Sequence, residues 1–301
     1  MSEQLQVKVA EQARIYLDSL QSRKRNPARG NTISAYESYL RNWINPSLGM
    51  LDLSEIKNGT LRKFVSTLSE AKLSPASIGG IVQFTKSIVK SAVSAEGEFL
   101  YPAVWNNEFI DAPPICARDQ EGPILSRDAL QDALQRTQGQ FRTLCVLAAG
   151  TGLRISEILA VKRDSSSWDP DNVVIRVNAQ IYKGLEQDPK TDAGFREVDL
   201  APDLNQYLLN VVHKKNGEYL FATKGGRPLS LPTVYGQAKK AGIPGFHSFR
   251  RFRITHLRMC MIPEDIIKFW IGHADKDITD RYSKMAENVG ARKRYAASTG
   301  L

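Results

Sequence analysis

The apolar positions along the first hundred residues recur with helical spacing. Residues 4–20 carry Leu5, Val9, Ala13, Ile15, Tyr16 and Leu20 close to helical spacing, which predicts a helix. The polar, basic stretch at 21–31 (QSRKRNPARGN) breaks that pattern with Pro27 and Gly30. A second helix is expected from Thr32, with Tyr36, Tyr39, Leu40 and Trp43 together, stopping before Pro46. Ser54 or Asn58 is placed to cap a third, carrying Leu61, Phe64, Val65 and Leu68. Ser74-Pro75 suits the start of a fourth, which continues through Ile78, Ile81, Val82, Ile88 and Val89. Residues 1–105 thus read as a small domain of about four helices.

Residues 106–123 (NNEFIDAPPICARDQEGP) hold three prolines and little periodicity, and are expected to be a linker. Beyond it, Ser126 is placed to cap a helix through Leu130 and Leu134, and the run 144–149 (LCVLAA) predicts a helix buried on all sides. Gly150-Thr151-Gly152 punctuates, and helical spacing resumes at Ile155, Ile158 and Leu159. The pattern changes at 173–200, where VVIRVNAQIY is β-rich, KGLEQDPKTDAG turn-rich and FREVDL alternating again, a small antiparallel sheet with a long basic turn. Helices are expected near 203–212, 232–241, 247–258, 263–270 and 276–287, with a short strand at Tyr219–Ala222. The expected fold is mainly α with a small antiparallel β-sheet in the second domain, 124–301, which ends in a C-terminal tail.

Composition narrows the class. The 301 residues are 42% hydrophobic and 24% charged, a globular balance that argues against wholesale disorder. No apolar run approaches the ~18 residues of a membrane span, and the N-terminus lacks the layout of a signal peptide. A cytoplasmic protein without membrane partners is expected. Cys116, Cys145 and Cys260 are scattered and odd in number, which disfavours a disulfide scaffold or a cysteine zinc site; for the same reason of compartment, the Asn58-Gly59-Thr60 sequon carries no meaning. The formal charge of +9 suits a polyanion partner, though a solvated basic surface gives the same number. Residues 1–112 hold 13 basic and 11 acidic side chains, so most of the surplus lies in the second half.

Several chemistries have no signature here: there is no GxxxxGK[ST], no GxGxxG after a strand, no HExxH and no GxSxG. Asp169-Pro170-Asp171 reads as a turn before a strand rather than a metal pair, and no cofactor is expected. Cations, histidines and one tyrosine remain. TGLRISEIL sets Arg154 in the first turn after a glycine, with Glu157 one turn along. PKTDAGFREV puts Lys190 in the polar turn between strands, and HSFRRFRITHL places His247 and Arg250 at i and i+3 on one helix face. FWIGHADKDITDRYSKM sets His273 after a glycine stop and Tyr282 nine residues on. Taken singly, each has an ordinary reading as an ion pair, a solvated lysine or a phosphate-gripping helix.

In this order and spacing the set R…K…HxxR…GH…Y resembles the tyrosine recombinase (phage integrase) family. The resemblance spans about 125–290, and TGLRISEIL, HSFRRFRITHL and WIGHADKDITDRYSKM match densely, including the apolar positions between the polar ones. It implies a helical core-binding (DNA-clamping) domain at 1–105 and an integrase-type catalytic domain at 124–301. It also implies that Tyr282 is the nucleophile that forms a 3′-phosphotyrosyl bond, and that Arg154 and Arg250 hold the non-bridging oxygens. Lys190 would protonate the departing 5′-oxygen, His247 would be the general acid/base, and His273 would hydrogen-bond the phosphate. Tyr295, in the basic segment GARKRYAAS, is the competing tyrosine but lies outside the matched blocks. His256 reads as a packing or surface residue, His213 as part of a helix end, Trp270 as the floor of the site and Glu157 as a structural ion pair. Arg251, Arg253, Lys239 and Lys240 are candidate phosphate contacts.

The chemistry is consistent with that cast. A phosphodiester transition state gathers negative charge on its equatorial oxygens, and two guanidiniums stay charged and fork onto oxygens bidentately. A phenol of pKa near 10 needs neighbouring cations and a base to attack at neutral pH. Covalent attachment conserves the bond energy, so rejoining needs neither ATP nor water. The expected partner is double-stranded DNA at a specific recombination site, bound by a homotetramer, which places the protein at the nucleoid. Two alternatives stay open: a catalytically silent DNA-binding accessory protein of the same fold, and a type IB topoisomerase-like nicking–closing enzyme.

Overall fold

The structure, a computed structural model, describes residues 6–116, 122–189, 191–212, 217–273 and 287–300. The chain divides into two compact units, Met1–Glu121 and Gly122–Leu301. Each has its own apolar core.

The first unit is helical. Helices α1 (Val9–Ser22), α2 (Gly30–Tyr39), α3 (Asn45–Leu48), α4 (Asn58–Glu70) and α5 (Pro75–Lys90) surround Ile44, Leu61, Leu68, Ile78, Ile81 and Ile88, and Tyr36 stacks on Phe84 with ring centroids 3.9 Å apart. Ser74 caps α5 as expected, its hydroxyl accepting from the Ser77 N–H, with Pro75 at the first helical position. Two helix ends differ from expectation. The second helix does not stop before Pro46: Leu40–Ile44 widen into a π-turn, the Asn45 N–H reaching back to the Leu40 carbonyl, and Pro46 then sits in the first turn of α3. Neither Ser54 nor Asn58 caps α4, whose N-cap is Lys57; a 3₁₀ turn at Leu53–Glu55 precedes it, and Glu55 accepts from the Asp52 N–H. Within 106–123, α6 (Asn107–Ile110) forms one turn capped by Asn106, with Ile110 buried in the first core.

The second unit is organised around α8 (Gly139–Thr151). Leu144, Cys145, Leu147, Ala148 and Ala149 are all buried, so this helix is apolar on every side, as its sequence predicts. Before it, α7 (Arg127–Gln135) is capped by Ser126, whose hydroxyl accepts from the Ala129 N–H. The helix expected after Gly152 is a single turn, α9 (Ile155–Ile158).

The β region is antiparallel, but it forms two pieces. Strands β1 (Trp168–Asp169), β2 (Val174–Val177) and β5 (Arg196–Asp199) make one sheet in the order β1-β2-β5, with Val174 opposite Asp199 and Val177 opposite Arg196. Strands β3 (Gln180–Tyr182) and β4 (Leu185–Gln187) form a separate hairpin. Residues read from sequence as turn therefore include a strand. Lys183 and Gly184 both take positive φ, the two-residue turn whose twist matches a tight hairpin, and this folds Leu185–Gln187 back onto β3. Asp169 is held in a turn, accepting from the Asn172 N–H and side chain and from Arg176. Tyr219–Ala222 is no strand; only isolated bridges at Tyr219 and Ala222 form there.

Four more helices complete the described part: α10 (Pro202–Val212), α11 (Leu231–Lys240), α12 (Phe246–Met259) and α13 (Glu264–Ile271). A further helix, α14 (Val289–Ala297), lies in what the sequence suggested was a tail; Asn288 caps it by accepting from the Ala291 N–H. It docks on β5 through Arg292, which donates to Asp199 at 2.8 Å and Glu197 at 2.9 Å and lies over the Phe269 ring. Helix α12 packs on α8, and α13 on β5. The helix expected at 276–287 and His213 lie outside the described residues. No helix among the described residues is long and apolar enough to cross a membrane.

Candidate active site

Three chain turns, each ending or starting at a glycine, converge in the second unit. Helix α8 ends at Gly152, whose φ of +68° lets the chain reverse. A Cβ there would stand 2.7 Å from the Ile271 side chain, so glycine is required by space as well as by conformation. Two residues later Arg154 opens α9. Its backbone N–H and its Nη1 both donate to Glu157, at 2.9 and 2.8 Å, yet its side chain is 43% exposed and can still meet a ligand.

Helix α12 begins after Gly245 and buries Phe246, Phe249 and Leu257 against α8. The same helix carries His247, which is exposed, and Arg250, which is not. The Arg250 Nη1 donates to the Gly152 carbonyl at 3.2 Å. Its Nη2 is buried and has no hydrogen-bond partner among the described residues. A buried guanidinium left half-satisfied is costly, and such groups mark sites where an anion completes the shell.

Helix α13 ends in a Schellman turn at Gly272, with φ of +70°: the His273 N–H bonds the Lys268 carbonyl and the Gly272 N–H the Phe269 carbonyl. This presents His273 at the surface. A Cβ on Gly272 would approach to 2.9 Å from the Arg196 Cζ and 3.0 Å from the Ala193 carbonyl oxygen. Gly272→Ala is accordingly expected to destabilise the protein by about 1–3 kcal/mol, read as a lower denaturation midpoint.

The electrostatics tie these turns together. Burial, then the cations Arg251, Arg250 and Arg154, then His273 hold the His247 imidazole below its ordinary 6.5. The ring is therefore neutral at pH 7 and able to accept a proton. Burial and the neighbouring Arg154 push Arg250 down to about 9, partly opposed by Glu157, so it remains a cation at neutral pH. Burial alone would raise the Glu157 carboxyl, but ion pairing and hydrogen bonding with Arg196, then Arg154, hold it low and ionised. The same burial and Arg253 lower His256. Because both imidazoles bind fewer protons folded than unfolded, stability is present above 6.5 and falls as the pH drops toward their folded values. Melting temperature is expected to decline on acidification from pH 7 to 5.5, with a smaller decline in His247→Gln and His256→Gln; an unchanged decline in both would contradict these shifts.

Four of the six residues chosen from sequence, Arg154, His247, Arg250 and His273, thus share one electrostatic neighbourhood. Lys190 and Tyr282 lie outside the described residues. Trp270 is buried, its indole donating to Asp199 at 2.8 Å. Glu157 is buried between two arginines rather than forming a surface pair. Lys239 and Lys240 are exposed at the end of α11 and Arg251 is half-buried.

Arg253 is a correction: it is buried and donates to the Thr299 carbonyl and hydroxyl at 3.2 and 3.0 Å, so it holds the C-terminal segment and offers nothing to a phosphate. His256 bonds the Gly300 carbonyl and stacks on Phe252. Tyr295, the competing tyrosine, is half-buried against the second core. Two buried arginines escaped the sequence reading, Arg196 and Arg292. A signal for Arg196 exists in FREVDL, where alternation puts it in phase with Val198.

The sequence profile of the phage integrase family matches residues 125–288, and that of the phage integrase N-terminal SAM-like domain matches 14–69. Among solved structures, the Tn1549 transposon integrase in complex with a circular intermediate DNA is similar at 18% identity and TM-score 0.71, covering 93% of this chain and 99% of that one. The lambda integrase dimer bound to a COC′ core site gives 20% identity, TM-score 0.65, 89% and 96%. The lambda integrase tetramer bound to a Holliday junction gives 18%, 0.68, 92% and 81%. No curated protein matches the chain in sequence. With the profile covering more than half of its length, the chain belongs to the phage integrase family, the tyrosine-type site-specific DNA recombinases.

Proposed function

We propose that this recombinase cuts and rejoins DNA through a 3′-phosphotyrosyl intermediate on Tyr282, without metal or ATP. Arg154 and Arg250 hold the non-bridging oxygens of the scissile phosphate. The Tyr282 oxygen attacks phosphorus, its proton passing to the neutral His247 ring, while the bond to the 5′-oxygen breaks and Lys190 protonates that oxygen. His273 donates a hydrogen bond to the phosphate. Attack of another 5′-hydroxyl on the phosphotyrosine returns the proton and completes the exchange. The observation that carries this reading is Arg250: a buried cation beside Arg154 and His247 with one nitrogen unpartnered among the described residues, an arrangement that a phosphate oxygen completes.

On this reading the helical unit, including 1–105, serves as the core-binding DNA clamp, 106–123 as the linker and 124–301 as the catalytic domain, with four copies assembled on a specific duplex site. The lambda integrase tetramer on a Holliday junction and the DNA-bound Tn1549 integrase support that assembly. The protein would then work at the nucleoid.

A nicked suicide duplex separates the alternatives. Trapped, denaturation-resistant adduct on a cognate site, without relaxation of arbitrary supercoiled DNA, is expected. Absence of adduct on every cognate site would favour a silent accessory protein, and relaxation of arbitrary DNA a topoisomerase-like enzyme. Duplex affinity is also expected to drop by about 10³-fold or more between 50 and 200 mM salt, since several phosphates must be neutralised; a flat salt response would exclude the clamp.

A further inference from the structure

Arg196 has no place in the chemistry above, yet its side chain is almost wholly buried. It stands at the start of β5, in the inward register shared with Val198. All three guanidinium nitrogens are engaged. Nη2 and Nη1 fork onto Glu157 at 2.9 and 3.3 Å, Nη1 also donates to the Gly194 carbonyl at 3.0 Å, and Nε donates to the Trp270 carbonyl at 2.7 Å. Four of its five N–H groups are thus engaged and the side chain is only 1% exposed, which leaves it little to offer a phosphate.

Its partners are the supports of other residues. Glu157 takes both the backbone N–H and the Nη1 of Arg154. Trp270 is three residues before His273, and Gly272, between them, packs directly on the Arg196 guanidinium, where a Cβ would lie 2.9 Å from Cζ. The same cation therefore fixes the carboxylate that orients Arg154 and the helix end that presents His273. These segments are far apart in sequence.

The geometry points to Arg196 as a positioning residue for DNA cleavage, holding Arg154 through Glu157 and His273 through the C-terminal turn of α13; this rests on the recombinase reading of the site. A planar five-donor fork is needed, because a lysine ammonium is a point charge that keeps the attraction to Glu157 but cannot span Glu157, Gly194 and Trp270 together. Displacing catalytic groups by about 1 Å from a distance costs on the order of 10²-fold in rate.

The test compares single-turnover cleavage of the suicide duplex at saturating full-length protein with duplex affinity and melting temperature. Arg196→Lys is expected to slow cleavage about 10²-fold, with affinity within about threefold and melting within a few degrees of wild type. Arg196→Gln with Glu157→Gln removes both charges together, so folding does not depend on an orphaned buried ion; it too is expected to bind and not cleave. Cleavage within threefold of wild type in either folded variant, or affinity falling in step with the rate, overturns the assignment. Wild-type protein that forms no adduct would instead overturn the recombinase reading itself.

Discussion

Replacing Arg250 with methionine is expected to lower single-turnover cleavage by about 10²–10³-fold while the protein melts at or above the wild-type temperature. The two halves of that result have one cause. In the free protein the guanidinium is buried, is repelled by Arg154, and has one nitrogen without a partner among the described residues. Its charge is held there against desolvation, so an apolar side chain of similar length relieves a cost that the fold otherwise carries. On DNA the position is expected to change sign, because on the proposed mechanism a phosphate oxygen supplies the missing acceptor in low-dielectric surroundings, where a charge-assisted hydrogen bond is strongest. Loss of one preorganised donor of this kind costs 10²–10³ in rate. Affinity, which is spread over many phosphates, is expected to change only a few-fold. Near-normal cleavage by Arg250→Met, or a clear drop in its melting temperature, would show that Arg250 serves the fold instead.

The larger effect is expected at Tyr282. Tyr282→Phe keeps the ring and removes the hydroxyl proposed to join the DNA, so covalent adduct is expected to vanish while duplex binding persists. Tyr295→Phe is the matched control: that ring is half-buried against the second core, in α14, and its variant is expected to cleave within about twofold of wild type. Adduct from Tyr282→Phe, or its loss in Tyr295→Phe, would exchange the two roles.

How far the sequence reached is clearest along α12. His247 and Arg250 read as one helix face, and Arg253 and His256 continue the same i+3 row, yet each step falls about 60° short of a full turn. Across three steps the row turns through half the helix, so His247 and Arg250 reach the site while Arg253 and His256 meet the C-terminal segment at Thr299 and Gly300. The apolar helix α8 and its glycine stop were legible because burial and φ are both local demands. The hairpin β3–β4 was missed because its turn, Lys183-Gly184, was counted with the polar stretch that follows. Glu157 was seen as an ion pair with Arg154, but its second partner, Arg196, is 39 residues away and only the fold brings them together. Helix α14 was read as tail because its charged run conceals the one buried cation, Arg292, that docks it.

The central claim, that fixed protein cations let a phenol oxygen take over a DNA backbone linkage, meets its most direct test in the adduct itself. Wild-type protein, a suicide duplex, excess chelator and no nucleotide are combined, and the trapped complex is digested and read by mass spectrometry. The account predicts a nucleotide joined through its 3′-phosphate to the peptide bearing Tyr282. Attachment at another residue, or an adduct that forms only when a divalent metal is restored, would contradict it.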